Sequence, residues 1–440
     1  MRVAKRRRQH STRRPAIQLQ VKTLLNAIQR FPGFVFHDIR LCRHRDGRPS
    51  GIEITAKPHE AIAARCSRCL QPAAGYDRLP PRRWLFVPLW GIVTWFLYAA
   101  RRVNCPTCGI VIEHVPWSEG KRPVTLAMMC FLSQWARRLS WRETARAFQT
   151  SWECVYRSVE WCVQWGLAHR KLEGVEAIGV DEIHWGRGKR ADNFLTVIYQ
   201  IDSHCRRLLW VGRRRTQATL RRGLAALGEP VVSGLRFVCS DMWKPYLNVI
   251  AAKAAQALHV LDRFHITMHL NQALDQVRRA ESGRLRDQGA GQKLKRMRWQ
   301  LLRRGSRVRG LARQRLNGLL RGNLATGRAW LLKEMFRDFW RYRSLTWARA
   351  FLSVWTERAL RSRLEPMRKV ARMLRAHEEL LMNWFRAKGE ISAGAVEGLN
   401  NKIRVVTRRS YGFRTYGAME IALYHTLGRL PDPELTHRFC

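Results

Sequence analysis

The chain has 440 residues, 46% of them hydrophobic, with 18 Trp, which excludes a disordered basic tail and gives length for about two to four domains with real cores. Against 33 Asp and Glu stand 81 Lys and Arg, a net charge of +48. Self-repulsion on that scale opposes a compact state unless a polyanion compensates it, so nucleic acid is the expected partner. Eleven Cys without a secretory h-region point to a reducing compartment and a cytoplasmic protein.

Residues 1–40 read as a basic N-terminal arm, Arg-rich from Met1 to Pro15, either lying on phosphates or simply solvated. Residues 41–120 hold Cys66-Ser-Arg-Cys69 and Cys105-Pro-Thr-Cys108. Two residues between cysteines let both thiolates reach one tetrahedral Zn²⁺, and four thiolates leave no open position, so the module is structural. Gly109 suits the tight turn that aims backbone N–H groups at the sulfurs. The uncharged stretch Trp84–Ala100 is short of the roughly 20 residues a membrane span needs and is broken by Pro88 and Gly91. It is expected to form a hairpin inside the zinc-binding module, and no membrane partner is expected.

Residues 121–172 have helical spacing, and Ser140 to Tyr156 has the rhythm of a helix-turn-helix DNA-binding domain. Gln149-Thr150 fits the turn and Ser151 a cap. Trp152, Val155 and Val159 should pack inward, leaving Glu153, Arg157 and Ser158 outward. In 173–280 the period changes to that of strands. Strands are expected at Ala177–Ile183, Asn193–Ile201, Leu208–Arg213, Leu235–Ser240 and Gln256–Leu261, with helices at Gln217–Leu227, from Lys244 and from Arg263. Three consecutive strands followed by alternating helix and strand fit an RNase H-like α/β core. Residues 281–385 read as a helical insertion, 386–428 as the last part of the core, and 429–440 as a C-terminal tail.

Asp181 and Asp241 each follow an apolar strand-like run, and Glu397 lies on a helix-like segment leading into Arg404 to Arg414. In-line phosphoryl transfer benefits from two divalent ions, and hard oxygen ligands from neighbouring strand ends suit such a pair. Each Asp alone could equally be turn or cap chemistry. Glu182, on a strand, points to the opposite face from Asp181, as does His184, so neither is expected to share the metal. Asn400 and Asn401 follow Glu397 by about one helical turn and are within reach of a scissile phosphate or a metal ligand. Trp243 and Tyr246 suit core packing, with stacking on a flipped base as the alternative. Arg157, Lys402, Arg404, Arg408, Arg409 and Arg414 are expected on DNA, where guanidinium suits phosphate.

Val180-Asp-Glu, Cys239-Ser-Asp-Met-Trp-Lys-Pro-Tyr246, Leu261-Asp-Arg-Phe-His265, Val396-Glu-Gly-Leu-Asn-Asn-Lys-Ile403 and Arg409-Ser-Tyr-Gly-Phe413 resemble the ISL3 family of bacterial insertion-sequence transposases. The order of parts matches as well: zinc-binding module, helix-turn-helix, then an RNase H-like DDE core. The resemblance implies that Asp181, Asp241 and Glu397 are the catalytic triad holding Mg²⁺ or Mn²⁺. Asp262 and His265 match a supporting Asp-x-x-His element, though Asp262 could equally be only a helix cap. It further implies binding to terminal inverted repeats and target DNA, strand cleavage and transfer, and a homodimer or higher assembly on DNA in the bacterial nucleoid. Two other functions fit the same residues. One is a metal-dependent nuclease or resolvase that cuts without joining; the other is a DNA-binding repressor derived from a transposase, which predicts loss of a carboxylate that is here present.

Overall fold

A computed structural model describes residues 20–185, 193–289, 294, 296–322, 324–391, 394–410 and 412–434. These fall into two units, one reaching to His169 and taking in the segment from Leu430, the other spanning Arg170–Arg429. The Arg-rich start, Tyr411 of the last family motif and the end of the C-terminal tail lie outside the described residues. No helix among those described is long and apolar enough to cross a membrane.

In the first unit, α1 (Val21–Ile28) and β1 (Phe34–Arg43) occupy the second half of the expected arm. Apolar residues at helical spacing, then Phe34 and Phe36, give this segment something to bury, so the arm does not extend to residue 40. β1, β2 (Pro49–Pro58), β4 (Arg82–Leu89) and β5 (Ile92–Tyr98) form one sheet in the order β1-β2-β5-β4, while β3 (Ala74–Arg78), β6 (Arg101–Cys105) and β7 (Gly109–Ile112) form another. The hairpin foreseen at Trp84–Ala100 exists as β4–β5. It does not belong to the cysteine-bearing sheet, however. Its Phe86 and Phe96 are fully buried and stacked 4.4 Å apart, and Phe36 packs on Phe96 at 5.2 Å, so aromatic burial draws β5 alongside β2.

α2 (Leu126–Ala136), α3 (Trp141–Ala147) and α4 (Trp152–His169) follow. A reciprocal capping box between Ser140 and Glu143 starts α3, and the Ser151 hydroxyl accepts from the Cys154 N–H to start α4. Between them Gln149 takes a positive φ of 49°. Val155 and Val159 are buried as expected, but the inward and outward sets need correcting. Trp152 is 60% exposed and Ser158 is fully buried, its hydroxyl donating to the Cys154 carbonyl. The buried stripe runs through 155, 158, 159 and 162, and Trp152 lies beyond its end. The segment from Leu430 returns here: Arg137 pairs bidentately with Asp432, and Leu430 lies against Gly166.

In the second unit β8 (Ala177–His184), β9 (Phe194–Ile201) and β10 (Arg206–Arg213) run antiparallel in succession. Next come α5 (Gln217–Leu227), α6 (Glu229–Ser233), β11 (Phe237–Ser240), α7 (Lys244–Lys253) and β12 (Leu258–Leu261). The sheet order is β10-β9-β8-β11-β12, with β11 parallel to both β8 and β12. This mixed sheet fits an RNase H-like core. Ile178, Val180, Ile198 and Leu209 meet Leu220 and Leu224 of α5 and Tyr246, Val249 and Ile250 of α7 in one apolar layer. Each such side chain removed from water contributes about 1.5–3 kcal/mol.

No strand follows Leu261 among the described residues. α8 (Arg263–Asp287), α9 (Arg298–Leu302), α10 (Gly310–Arg321), α11 (Ala325–Phe339), α12 (Leu345–Arg361), α13 (Glu365–Ala376) and α14 (Glu378–Arg386) share a core built on Leu270, Leu274, Phe336, Trp355 and Met367. Then α15 (Gly394–Arg409) and α16 (Tyr416–Leu427) return to the sheet, where Tyr416 and Tyr424 both bond the backbone of Val211.

Candidate active site

β11 pairs with β8 through Cys239↔Gly179, and continuing that parallel register by two residues brings Asp241 level with Asp181. Asp241 directly follows the last residue of its strand, but Asp181 is not the tip of β8. The strand continues to His184, with Asp181 paired to Val197, because the antiparallel partner β9 is longer than β11. The two carboxylates thus meet where β11 stops and the β8–β9 ribbon goes on.

Alternation along β8 sends Gly179 and Asp181 to the face covered by α15. A Cβ on Gly179 would come within 2.4 Å of Val396 Cγ2, so only glycine lets the helix lie this close. Glu397 is the next residue, half-buried in the first turn of α15, and makes no hydrogen bond or ion pair among the described residues. One turn on, Asn400 donates from Nδ2 to Asp181 Oδ2 at 2.5 Å, and its Oδ1 accepts from the Tyr199 hydroxyl at 2.7 Å. Asp181 Oδ1 accepts from the Glu182 N–H at 2.8 Å. Burial raises the Asp181 pKa, against the pull of His265, the Glu182 N–H and Asn400.

The other face holds a feature that strand alternation concealed. Glu182 does point away from Asp181, yet there it meets Arg215, which lies 2.8 Å from Glu182 Oε1 and 3.2 Å from Asp241 Oδ2. The guanidinium sits 4.2 Å over the Trp243 ring. Asp241 Oδ1 accepts from the Trp243 N–H at 3.1 Å. Glu182 is pushed up to about 8, first by burial and then by the charge of Asp241. Nothing in the sequence marks Arg215 among so many arginines; its role depends on the packing of α5 and α7.

Asp262 caps α8 through the Phe264 N–H at 2.8 Å and also holds His265 Nδ1 at 3.2 Å, so cap and partner are one residue. Burial disfavours the charged imidazole, but the Asp262 hydrogen bond and the charges of Asp181, Asp262 and Asp241 outweigh it and raise His265 to about 9. His265 is therefore electrically part of the same acidic centre.

Hard carboxylate oxygens on Asp181 and Asp241, each retaining lone pairs beyond its present bonds, suit a divalent ion of the Mg²⁺ class. They are not gathered as tightly as the cysteines. Among the described residues, the group of three or more His, Cys, Asp or Glu whose ligand atoms all lie within 4.8 Å of one another is Cys66, Cys69, Cys105 and Cys108. In that quartet Cys69 and Cys105 Sγ are 3.6 Å apart, the Arg68 N–H donates to Cys66 Sγ, and Gly109 turns at φ 73°. The Cys69 backbone N–H, working against desolvation, lowers Cys66 to about 7. Four buried or half-buried sulfurs with backbone donors are compatible with a structural zinc site.

Of the cations expected on DNA, Lys402, Arg404, Arg408 and Arg409 are exposed along α15, and Arg414 is exposed beyond it. Arg404 bonds Asn401 Oδ1 at 2.9 Å, and Arg157 on α4 is exposed and paired with Glu160 at 2.9 Å. Trp243 and Tyr246 pack edge to face at 4.7 Å, Tyr246 fully buried with its hydroxyl on Thr196.

A mixed sheet of this order, with acidic side chains where its central strands part, fits the core of an RNase H-like enzyme. A transposase family model of the ISL3 DDE type matches residues 178–423, more than half the chain. The chain belongs to the ISL3 family of insertion-sequence transposases. It is 27% identical over 368 residues to the transposase of insertion sequence IS1001 from Bordetella parapertussis, covering 82% of this chain and 88% of that one. It is also 27% identical over 425 residues to the IS1557 transposase of Mycobacterium tuberculosis, covering 90% and 93%.

Proposed function

We propose that the protein binds the terminal inverted repeats of its own element and carries out strand cleavage and strand transfer at Asp181, Asp241 and Glu397. The observation that carries the reading is the Asn400–Asp181 hydrogen bond, which ties the helix bearing Glu397 to the strand bearing Asp181. These three carboxylates would hold Mg²⁺ or Mn²⁺, which would supply charge neutralisation and activation of the attacking oxygen. The chain's own groups do the rest. Asn400 and Tyr199 fix the Asp181 carboxylate, Arg215 orients Asp241, and Asp262 with His265 balances the charge of the centre. The exposed Lys402, Arg404, Arg408, Arg409 and Arg414 hold the DNA backbone beside it.

In this reading residues 41–120 contain the zinc-binding module and 121–172 form a helix-turn-helix that reads the element's ends. The core comprises 173–280 and 386–428, interrupted by the helical insertion 281–385, and two ends are held by at least a dimer on DNA. The test is a cleavage and joining assay on DNA carrying the repeats that flank the coding region. Asp241→Ala and Glu397→Gln are expected to abolish both steps; retention of either step by Asp241→Ala would overturn the reading. Cutting without joining by the wild type would make it a nuclease.

A further inference from the structure

One end of the four-stranded sheet brings together two turns that the zinc quartet and the α3–α4 pair leave unexplained. β2 and β5 are parallel neighbours, Ile52↔Thr94 through Thr55↔Leu97, so the turns that lead into them open at the same end of the sheet. The first joins β1 to β2 and carries Arg43, His44, Arg45, Asp46, Gly47 and Arg48. The second joins β4 to β5 through Trp90 and Gly91. Carrying the β2–β5 register back four residues puts Arg48 level with Trp90.

Trp90 is held where local physics disfavours it. Both central residues of its turn have positive φ, 52° at Trp90 and 77° at Gly91, the pattern of a two-residue type I′ hairpin. Asn, Asp or Gly suit the first of these positions, whereas a bulky side chain is strained there. Burial does not compensate, because Trp90 is 73% exposed and a Cβ at Gly91 would meet nothing within 4 Å. The turn is nevertheless firmly built: Leu89 pairs with Ile92, and its N–H donates to Thr94 Oγ1 at 3.3 Å. A large aromatic on a rigid tip, kept against both conformation and solvation, points to a ligand that it enters.

The neighbouring turn specifies the ligand's chemistry. The Arg43 guanidinium bonds the Gly47 carbonyl at 2.8 Å, the His44 N–H bonds the Arg48 carbonyl, and the Arg48 N–H bonds Asp46, so this loop too is ordered. Its three arginines are exposed and face one carboxylate, Asp46, already within 3.7 Å of Arg48. Arg45 has no carboxylate partner among the described residues. An apolar wedge flanked by three exposed arginines that share one carboxylate matches a DNA minor groove, where such wedges part a base step while guanidinium groups hold the flanking phosphates.

We infer that this end of the sheet, separate from the zinc quartet and from α4, docks on double-stranded DNA with Trp90 inserted in the minor groove and Arg43, Arg45 and Arg48 on the backbone. The inference rests on the DNA-binding part of the function proposed above.

The test uses the full chain, a duplex from the DNA flanking its coding region and an unrelated duplex of equal length. Affinity is read by fluorescence anisotropy and bending by energy transfer between the duplex ends. Trp90→Asn is the decisive variant, because Asn-Gly suits the turn and the fold should be unharmed or more stable. It is expected to lose affinity by about tenfold, the effect of one lost aromatic–base contact, and to lose bending, with an unchanged or raised melting temperature. Arg45→Ala should weaken both duplexes alike and reduce the salt slope by about one. Wild-type binding together with unaltered affinity and bending in Trp90→Asn would overturn the inference and leave the transposase reading standing. A change in sedimentation of the free protein with no change on DNA would also overturn it, making the tip a protein contact. Failure of the wild type to bind either duplex would sink both readings together.

Discussion

The Asn400 side-chain amide donates a 2.5 Å hydrogen bond to Asp181 across 219 residues of chain, and its carbonyl accepts from Tyr199. With donor and acceptor both occupied, the amide can take only one orientation, so Asp181 is presented in a single rotamer. Asn400→Ala should reduce strand cleavage by about 10- to 100-fold, the usual effect of removing a group that orients a metal ligand. Its effect on folding should be modest. Asn400→Asp should be worse than Ala, because a second carboxylate then faces the buried Asp181. Cleavage rates for the two variants at saturating Mg²⁺, beside their melting temperatures, check the order.

Arg215 bridges Glu182 and Asp241 with less than a third of each side chain exposed. Removing it leaves Asp241 without its cation and drives Glu182, already pushed up to about 8, to take a proton in a poorly hydrated place. Arg215→Ala should therefore destabilise the second unit by about 2–4 kcal/mol, somewhat below a fully buried ion pair because the guanidinium is partly solvated. Glu182→Gln in the Arg215→Ala background should change little further near neutral pH, since Glu182 is protonated once the guanidinium is gone. Urea unfolding of wild type, both single variants and the double variant gives the coupling. Strict additivity would show that the bridge contributes nothing.

Local signals were legible and long-range ones were not. The helix Gln217–Leu227 is found with the bounds read from its pattern, and Asp262 does cap α8, because periodicity and caps are properties of a few neighbouring residues. Asp181 and Asp241 were legible as carboxylates after apolar strand-like runs, and Glu397 as an acid on a helix-like segment leading into a basic run. The Glu182–Arg215–Asp241 bridge has no local mark: alternation sends Glu182 away from Asp181, and only the packing of Tyr246 and Trp243 brings Arg215 to it. The membership of the β4–β5 hairpin was hidden for the same reason. Cysteine spacing suggested a single module, whereas Phe36, Phe86 and Phe96 had already formed a second core.

With the cysteine quartet read as a zinc site, as proposed above, metal removal should separate those two layers of the first unit. Apart from the sulfurs, only Ala64 and Val103 are buried in the small cluster around the cysteines, which is too little apolar surface to hold β3, β6 and β7 together alone. Chelation, or Cys105→Ser, is expected to release one zinc per chain and open the backbone amides of β6 and β7 to hydrogen exchange. The amides of β2 and β5, supported by the aromatic core, should stay protected. Equal loss of protection in both sheets would show that the metal holds the four-stranded sheet as well.

Acid sensitivity should come in part from His259. It is buried in β12 and its Nε2 lies 2.8 Å from Ser240 Oγ. The Ser240 hydroxyl already donates to the Asp241 carbonyl, so Nε2 carries the proton and the neutral ring satisfies the serine. Burial lowers its pKa from 6.5 to about 4. The folded pKa is depressed, so below pH 6.5 the unfolded chain binds a proton that the folded chain refuses. Stability is whole above pH 6.5 and falls as pH drops from there to about 4, by about 3 kcal/mol at most. His259→Gln keeps a donor near Ser240 but cannot titrate. Its melting temperature should fall less steeply than that of the wild type over this window, and parallel curves would show that His259 is not the titrating group.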